Sequence, residues 1–268
     1  RVLSQILKFL PSALLLLFPA LDSGTLELRE FITVHLWRST TNWPLQAPAS
    51  MAPVFVRRLE NPTEDEIERC ASVLLAAFNS LNDVFSHSLT GGNRDLDFDI
   101  NVAPVRAALI AGQVWVAGFD AAVSDICAVA LWFGPGAEYL ATEEQREAGW
   151  NQLQAKFTPE LKQWWSYFIP RFGQWCDASL GPGVKLRSWR LNSLGTLPEH
   201  HGQGLGAALI QAIEIKAKAD NVMMVLETTT DENIRFYQNR GFLVRGEPLS
   251  ILGSGGETTF TCLSKSVT

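Results

Sequence analysis

The chain has little cysteine, and what it has is scattered: Cys70, Cys127, Cys176 and Cys262 among 268 residues. None forms a C-x-x-C pair or stands at ligand spacing from a histidine, which argues against a zinc site and a disulfide scaffold. Four reduced, buried thiols are expected, and no metal. Basic runs are missing too. Lys and Arg number 22 against 28 Asp and Glu, a net charge of −6, so nothing here would track a phosphate backbone, and nucleic acid is excluded as a partner. Internal repeats are absent. The one long apolar run, Ile6 to Leu21, is interrupted by Lys8, Pro11 and Pro19. It is shorter than the ~20 residues of a membrane helix, and is composed like a signal-peptide core with a basic residue ahead of it. Residues 1–50 read either as upstream sequence or as a targeting leader. Both readings place them outside the fold, which is expected to occupy 51–268 in a cytoplasmic protein with no membrane contact by the folded domain.

What the sequence does contain is alternating α and β signals. VFVRRLE (54–60) alternates as a strand, and TEDEIERCASVLLAAF (63–78) reads as a helix with Thr63 as N-cap and acids in its first turn. A polar stretch leads to a short helix over VRAALIAG ending at Gly112. QVWVAGF and DICAVALWFGP then form a hairpin. A Trp-rich helical insert, about 140–182, precedes the strand WRLNSLGTL and a helix from about Gly204 to Ala219, with Leu205, Leu209 and Ile213 on its buried face. A strand VMMVLE, a short helix DENIRFYQNR closed by Gly241, and two final strands complete an α/β layer fold with a mixed sheet.

Chemistry concentrates at LPEHHGQGLGAAL (197–209), where Gly202, Gly204 and Gly206 alternate between a strand and a helix. Read as G-x-G-x-x-A with Glu227 ending the next strand, this is a dinucleotide fingerprint. Four residues separate the strand from Gly202, however, and too little chain follows Glu227 to complete a doubly wound sheet. A helix N-terminus bares unpaired N–H groups and partial positive charge, and glycine leaves them accessible. The amides from Gln203 to Ala207 are therefore expected to form an anion nest suited to a pyrophosphate.

His201-Gly202-Gln203-Gly204-Leu205-Gly206, followed by Asn233, Phe236, Tyr237, Gly241 and Phe242, resembles the GNAT superfamily of acetyl-CoA-dependent N-acetyltransferases. The secure likeness covers about 189–242 and lies nearest the small-amine members, puromycin N-acetyltransferase among them. The resemblance implies an acyl-CoA N-acyltransferase fold: a mixed, mostly antiparallel central sheet with helices on both faces. It implies acetyl-CoA as co-substrate and a primary amine, on a small molecule or a peptide, as acceptor. It implies that the strand before the signature splays, so that backbone at Leu194, Gly195 and Thr196 holds the pantetheine and acetyl carbonyls. Asn233 then contacts the coenzyme, and Tyr237 protonates the departing sulfur.

Histidine at 201 departs from the Arg or Gln usual at that position. As a residue type it is mostly uncharged at neutral pH, so the backbone must carry most of the phosphate stabilisation. No carboxylate stands on WRLNSLGTL; Glu227 is the candidate general base, with a purely hydrogen-bonding role at the strand end as its rival. The insert's Trp150, Trp164, Trp165 and Trp175 serve either as core or as an aromatic wall for the amine. A catalytically inactive acyl-CoA sensor is the alternative function.

Overall fold

The computed structural model describes residues 53–79 and 83–267. The expectation for residues 1–50 lies outside the described residues. Strand β1 (Phe55–Arg58) is followed by helix α1 (Glu64–Asn79), whose start is a reciprocal cap. The Glu66 amide donates to Thr63 Oγ1 (3.3 Å) and the Thr63 amide donates to Glu66 Oε2 (3.0 Å). A short helix, α2 (Val84–Leu89), capped by Asp83, was not foreseen. Six residues are too few to show a helical period.

Helix α3 (Asp99–Ala111) begins well before VRAALIAG and runs through Pro104. Proline removes one helical hydrogen bond. Burial of Ala103, Val105, Ala107 and Ala108 outweighs that loss. The hairpin of β2 (Gln113–Gly118) and β3 (Ala128–Phe133) follows as expected, with every residue of β3 buried.

The insert comprises helical turns over 143–155 and a long helix, α4 (Pro159–Leu180), N-capped by Thr158. Then come β4 (Trp189–Thr196), α5 (Leu205–Asp220), β5 (Met224–Thr228), α6 (Asp231–Gln238), β6 (Leu243–Gly253) and β7 (Gly256–Lys265). Helix α5 buries Leu205, Leu209, Ile210, Ile213 and Ala217, the face its period required. Gly241, at φ +84°, closes the turn after α6.

The strands form one sheet in the order β1-β2-β3-β4-β5-β7-β6. Only β4 and β5 are parallel; the remaining pairs are antiparallel. Side chains alternate faces along a strand. A Cβ on Gly195 would press on Ala77 and Leu74 of α1, both at 3.0 Å, while Leu194 and Thr196 approach Gly206 of α5. Helices α1 and α5 therefore cover opposite faces. All four cysteines are free and buried.

Candidate active site

The site begins with a fork in the sheet. β4 pairs with β5 only from Trp189↔Met224 to Leu191↔Leu226, yet stays paired with β3 through Thr196↔Ala128. Between these stretches the register on β3 jumps: Leu131 faces Ser193 and Trp132 faces Leu191, so Asn192 is a bulge. Beyond it the Leu197 amide donates to the Cys127 carbonyl at 2.8 Å. Counting back by two turns the Gly195 amide to β3 and leaves the backbone of Leu194 and Thr196 facing the opening. Gly195 itself lets α1 approach closely.

At the mouth of the fork, Gly202 (φ +75°) and Gly204 (φ +87°) take left-handed conformations that favour glycine. Gly204 is the N-cap of α5 and offers no side chain. The first helical bond is Ala208 N–H to Gly204 carbonyl, 3.0 Å, so the amides of Leu205, Gly206 and Ala207 are left without helical acceptors. Gln203 departs from the expected nest. Its amide donates to the His200 carbonyl (3.4 Å) and its side chain to the Glu199 carbonyl (3.1 Å). The His201 Nε2 lies 2.9 Å from the Thr196 carbonyl. A carbonyl only accepts, so Nε2 carries the proton, and His201 ties the glycine turn to β4. His200 packs edge-on against Phe119 at 5.4 Å.

The opposite wall is α6, capped by Thr230, whose Oγ1 accepts from the Asn233 amide at 3.2 Å. Asn233, Phe236 and Tyr237 all line one cleft with the glycine turn and the fork. Tyr237 is buried between Phe236 and Phe242, centroids 5.1 and 5.7 Å away. Burial pushes its phenol well above the usual tyrosine range, with Arg240 offsetting only part. The hydroxyl is thus held protonated. Arg240, which sequence reasoning missed, stacks 3.6 Å over the Phe236 ring and donates Nη1 to the Phe236 carbonyl at 2.6 Å.

At the closed end of the fork Glu227 is nearly buried and faces Arg190, Nη2 to Oε2 3.4 Å. Cys176 donates its thiol to the other oxygen at 3.3 Å. Burial alone would raise the Glu227 pKa; Arg190, Lys185 and the Cys176 hydrogen bond together more than cancel it, and the net shift is downward. Glu227 therefore stays ionised but is a weak base. Tyr139, also missed, lines the cleft nearby, its phenol pushed up by burial.

The insert divides its aromatics. Trp164 stacks on Phe168 (5.0 Å) and donates to the Leu252 carbonyl, while Trp175 donates to the Glu247 carbonyl. These two fasten α4 to β6. Trp150, Trp165, Phe168 and Phe172 line the cleft, whose volume is about 1090 Å³. Ligand pockets typically enclose ~300–1,000 Å³, so there is room for two substrates. Among the described residues no cluster of His, Cys, Asp or Glu could hold a metal ion, and no helix is long and apolar enough to cross a membrane.

The family sequence model for the acetyltransferase (GNAT) domain matches residues 173–244, from within α4 into β6. The chain carries a GNAT acetyltransferase domain. That domain is an acetyl-CoA-dependent acyltransferase, and its matched segment holds both walls of the fork. The Drosophila melanogaster polyamine N-acetyltransferase, an enzyme that forms N-acetylagmatine, is similar in fold. Its TM-score is 0.51 at 14% identity, covering 80% of this chain and 100% of that one. An agmatine N-acetyltransferase gives 0.50 at 14%, covering 80% and 99%. A Corynebacterium glutamicum structure described as histone acetyltransferase and related acetyltransferase gives 0.49 at 20%, covering 80% and 96%. At 14% identity the first two likenesses show a shared fold.

Proposed function

We propose that this domain transfers the acetyl group of acetyl-CoA directly to a primary amine of a small molecule or peptide, both substrates bound together in the cleft. The observation that carries the reading is the fork: an unpaired strand edge leading from bare helix amides to a buried, protonated tyrosine. In this reading the amides of Gly204 to Ala207 receive the pyrophosphate, with Gly202 and His201 shaping the turn. The exposed backbone of Leu194 and Thr196 pairs with the pantetheine amides like a substitute strand, and Asn233 contacts the same arm. The uncharged amine attacks the thioester carbonyl. The C–N bond forms, the C–S bond breaks, and Tyr237 protonates the departing sulfur and recovers its proton from solvent.

The attacking amine must shed its extra proton. Glu227, ionised and at the closed end of the fork, is placed to attract an ammonium. Its lowered pKa suits it to orienting the amine and passing the proton on through water better than to keeping it. An acyl-CoA sensor without catalysis would need the coenzyme half alone. The protonated Tyr237 and the aromatic-lined space beyond the fork favour the enzyme.

The test is thiol release from acetyl-CoA with a panel of polyamines, aminonucleosides and peptides. Release above background hydrolysis with any amine supports transfer. Tight coenzyme binding with no release across the panel selects the sensor.

A further inference from the structure

Arg190 sits at the point where β4 leaves β5, buried on most of its surface, with a guanidinium that is poorly satisfied. Its Nη2 reaches Glu227 and its Nη1 reaches Asn192 Oδ1, each at 3.4 Å. Charge-assisted N–H···O bonds normally close to ~2.7–2.9 Å. Its Nε is buried with no partner. Lys185 lines the same cleft, its Nζ 5.4 Å over the Phe172 ring and its charge acting on Glu227, with no ion pair within 4 Å among the described residues. Two cations thus act on one carboxylate, Glu227, at the closed end of the fork.

The carboxylates elsewhere in the cleft do not cancel this excess. Asp83 is spent capping α2, and Glu232 lies on α6 at the coenzyme wall. Asp97 and Glu138 also line the cleft, but neither is ion-paired or hydrogen-bonded to Arg190, whose polar partners are Glu227 and Asn192. A planar guanidinium with open donors takes a carboxylate through two parallel bonds.

The geometry points to an acceptor that carries a carboxylate next to its amine, an amino-acid-like substrate whose carboxylate is seated on Arg190 and Lys185. This rests on the transfer reading above. A bare diamine or polyamine would instead bring a second positive charge against both cations.

The experiment compares acceptors that differ only in that carboxylate: arginine with agmatine, ornithine with putrescine, tryptophan with tryptamine, phenylalanine with phenethylamine. Thiol release from acetyl-CoA by the full chain is expected to show at least a tenfold higher kcat/KM for the acid of at least one pair, and the reverse for none. Arg190→Gln is expected to erase that preference while coenzyme A still binds. Lys185→Gln, which leaves the Arg190–Glu227 pair intact, should reduce it severalfold and stands in if Arg190→Gln does not fold. Equal rates within every pair, or a preference for bare amines, overturn the inference and leave acetyl transfer standing. No release above background hydrolysis with any amine removes the transfer reading. The carboxylate seat is then still decided by calorimetry of arginine against agmatine on the coenzyme-loaded protein, where equal affinities overturn it.

Discussion

Removing one oxygen from Tyr237 separates chemistry from folding. Tyr237 is 7% exposed, wedged between Phe236 and Phe242, and among the described residues no group hydrogen-bonds its hydroxyl. Tyr237→Phe therefore keeps the packing and should change stability by no more than about 0.5 kcal/mol. Loss of a positioned acid typically costs at least ~10²-fold in rate, about 2.7 kcal/mol of barrier. At pH 7 the variant is expected to lose about 100-fold in kcat at saturating substrates, with little change in KM for acetyl-CoA.

The pH dependence sharpens the test. A thiol titrates near ~8.5, so above that pH the departing sulfur needs a proton less and the deficit of the variant should shrink. Burial raises the Tyr237 pKa, so the wild-type phenol stays protonated and kcat should show no tyrosine limb up to about pH 10. Steady-state thiol release across pH 6.5–9.5, with thermal melts of both proteins, makes the comparison. A variant with wild-type kcat at pH 7 refutes the acid role.

Three further outcomes follow from the same contacts. Gly206 is helical, and an added Cβ would lie 3.4 Å from Phe236 Cζ. Gly206→Ala should keep coenzyme affinity and gain up to ~1 kcal/mol in helix propensity. Gly206→Val, whose branches enter the gap between β4 and α6, should weaken coenzyme binding at least tenfold by calorimetry. Glu214 is held below the usual carboxylate range mainly by its hydrogen bond from Lys265, 2.7 Å away. That stabilisation is full above the unfolded value near ~4.3 and is lost as pH falls through the lower folded one. Urea melts should therefore show Lys265→Met less stable than wild type at pH 7, with the difference shrinking toward pH 3. Burial raises Cys70 and Cys262 to about 12, so a thiol reagent at pH 7.5 should label neither in the folded protein within minutes and both after denaturation.

Where short-range physics decides, the sequence was readable. Thr63 with acids after it marked a helix start, the β2–β3 alternation marked a hairpin, and Gly241 marked the left-handed close of α6. The outcome at α3 turned on burial of its small residues, which a local reading that stopped at Pro104 could not weigh.

The candidate site was legible at its glycine turn, whose residues are contiguous. It was not legible at the fork. The Asn192 bulge, which decides that Leu194 and Thr196 rather than Gly195 face the opening, depends on the register with β3. Arg190 and Glu227 lie 37 residues apart and meet only through the parallel pairing of β4 with β5. Tyr139 and Arg240 carry no local signal. Their surroundings come from burial and from the Phe236 ring.

Titration calorimetry of the purified protein with coenzyme A and, separately, with pantetheine addresses the helix-mouth amides themselves. One coenzyme A per chain should bind with a dissociation constant of about micromolar order, near −8 kcal/mol. Pantetheine, which lacks the pyrophosphate, should bind at least 100-fold more weakly. No heat with coenzyme A, or equal affinity for the two, contradicts the claim that the bare amides from Gly204 to Ala207 hold a phosphate and aim a thioester at Tyr237.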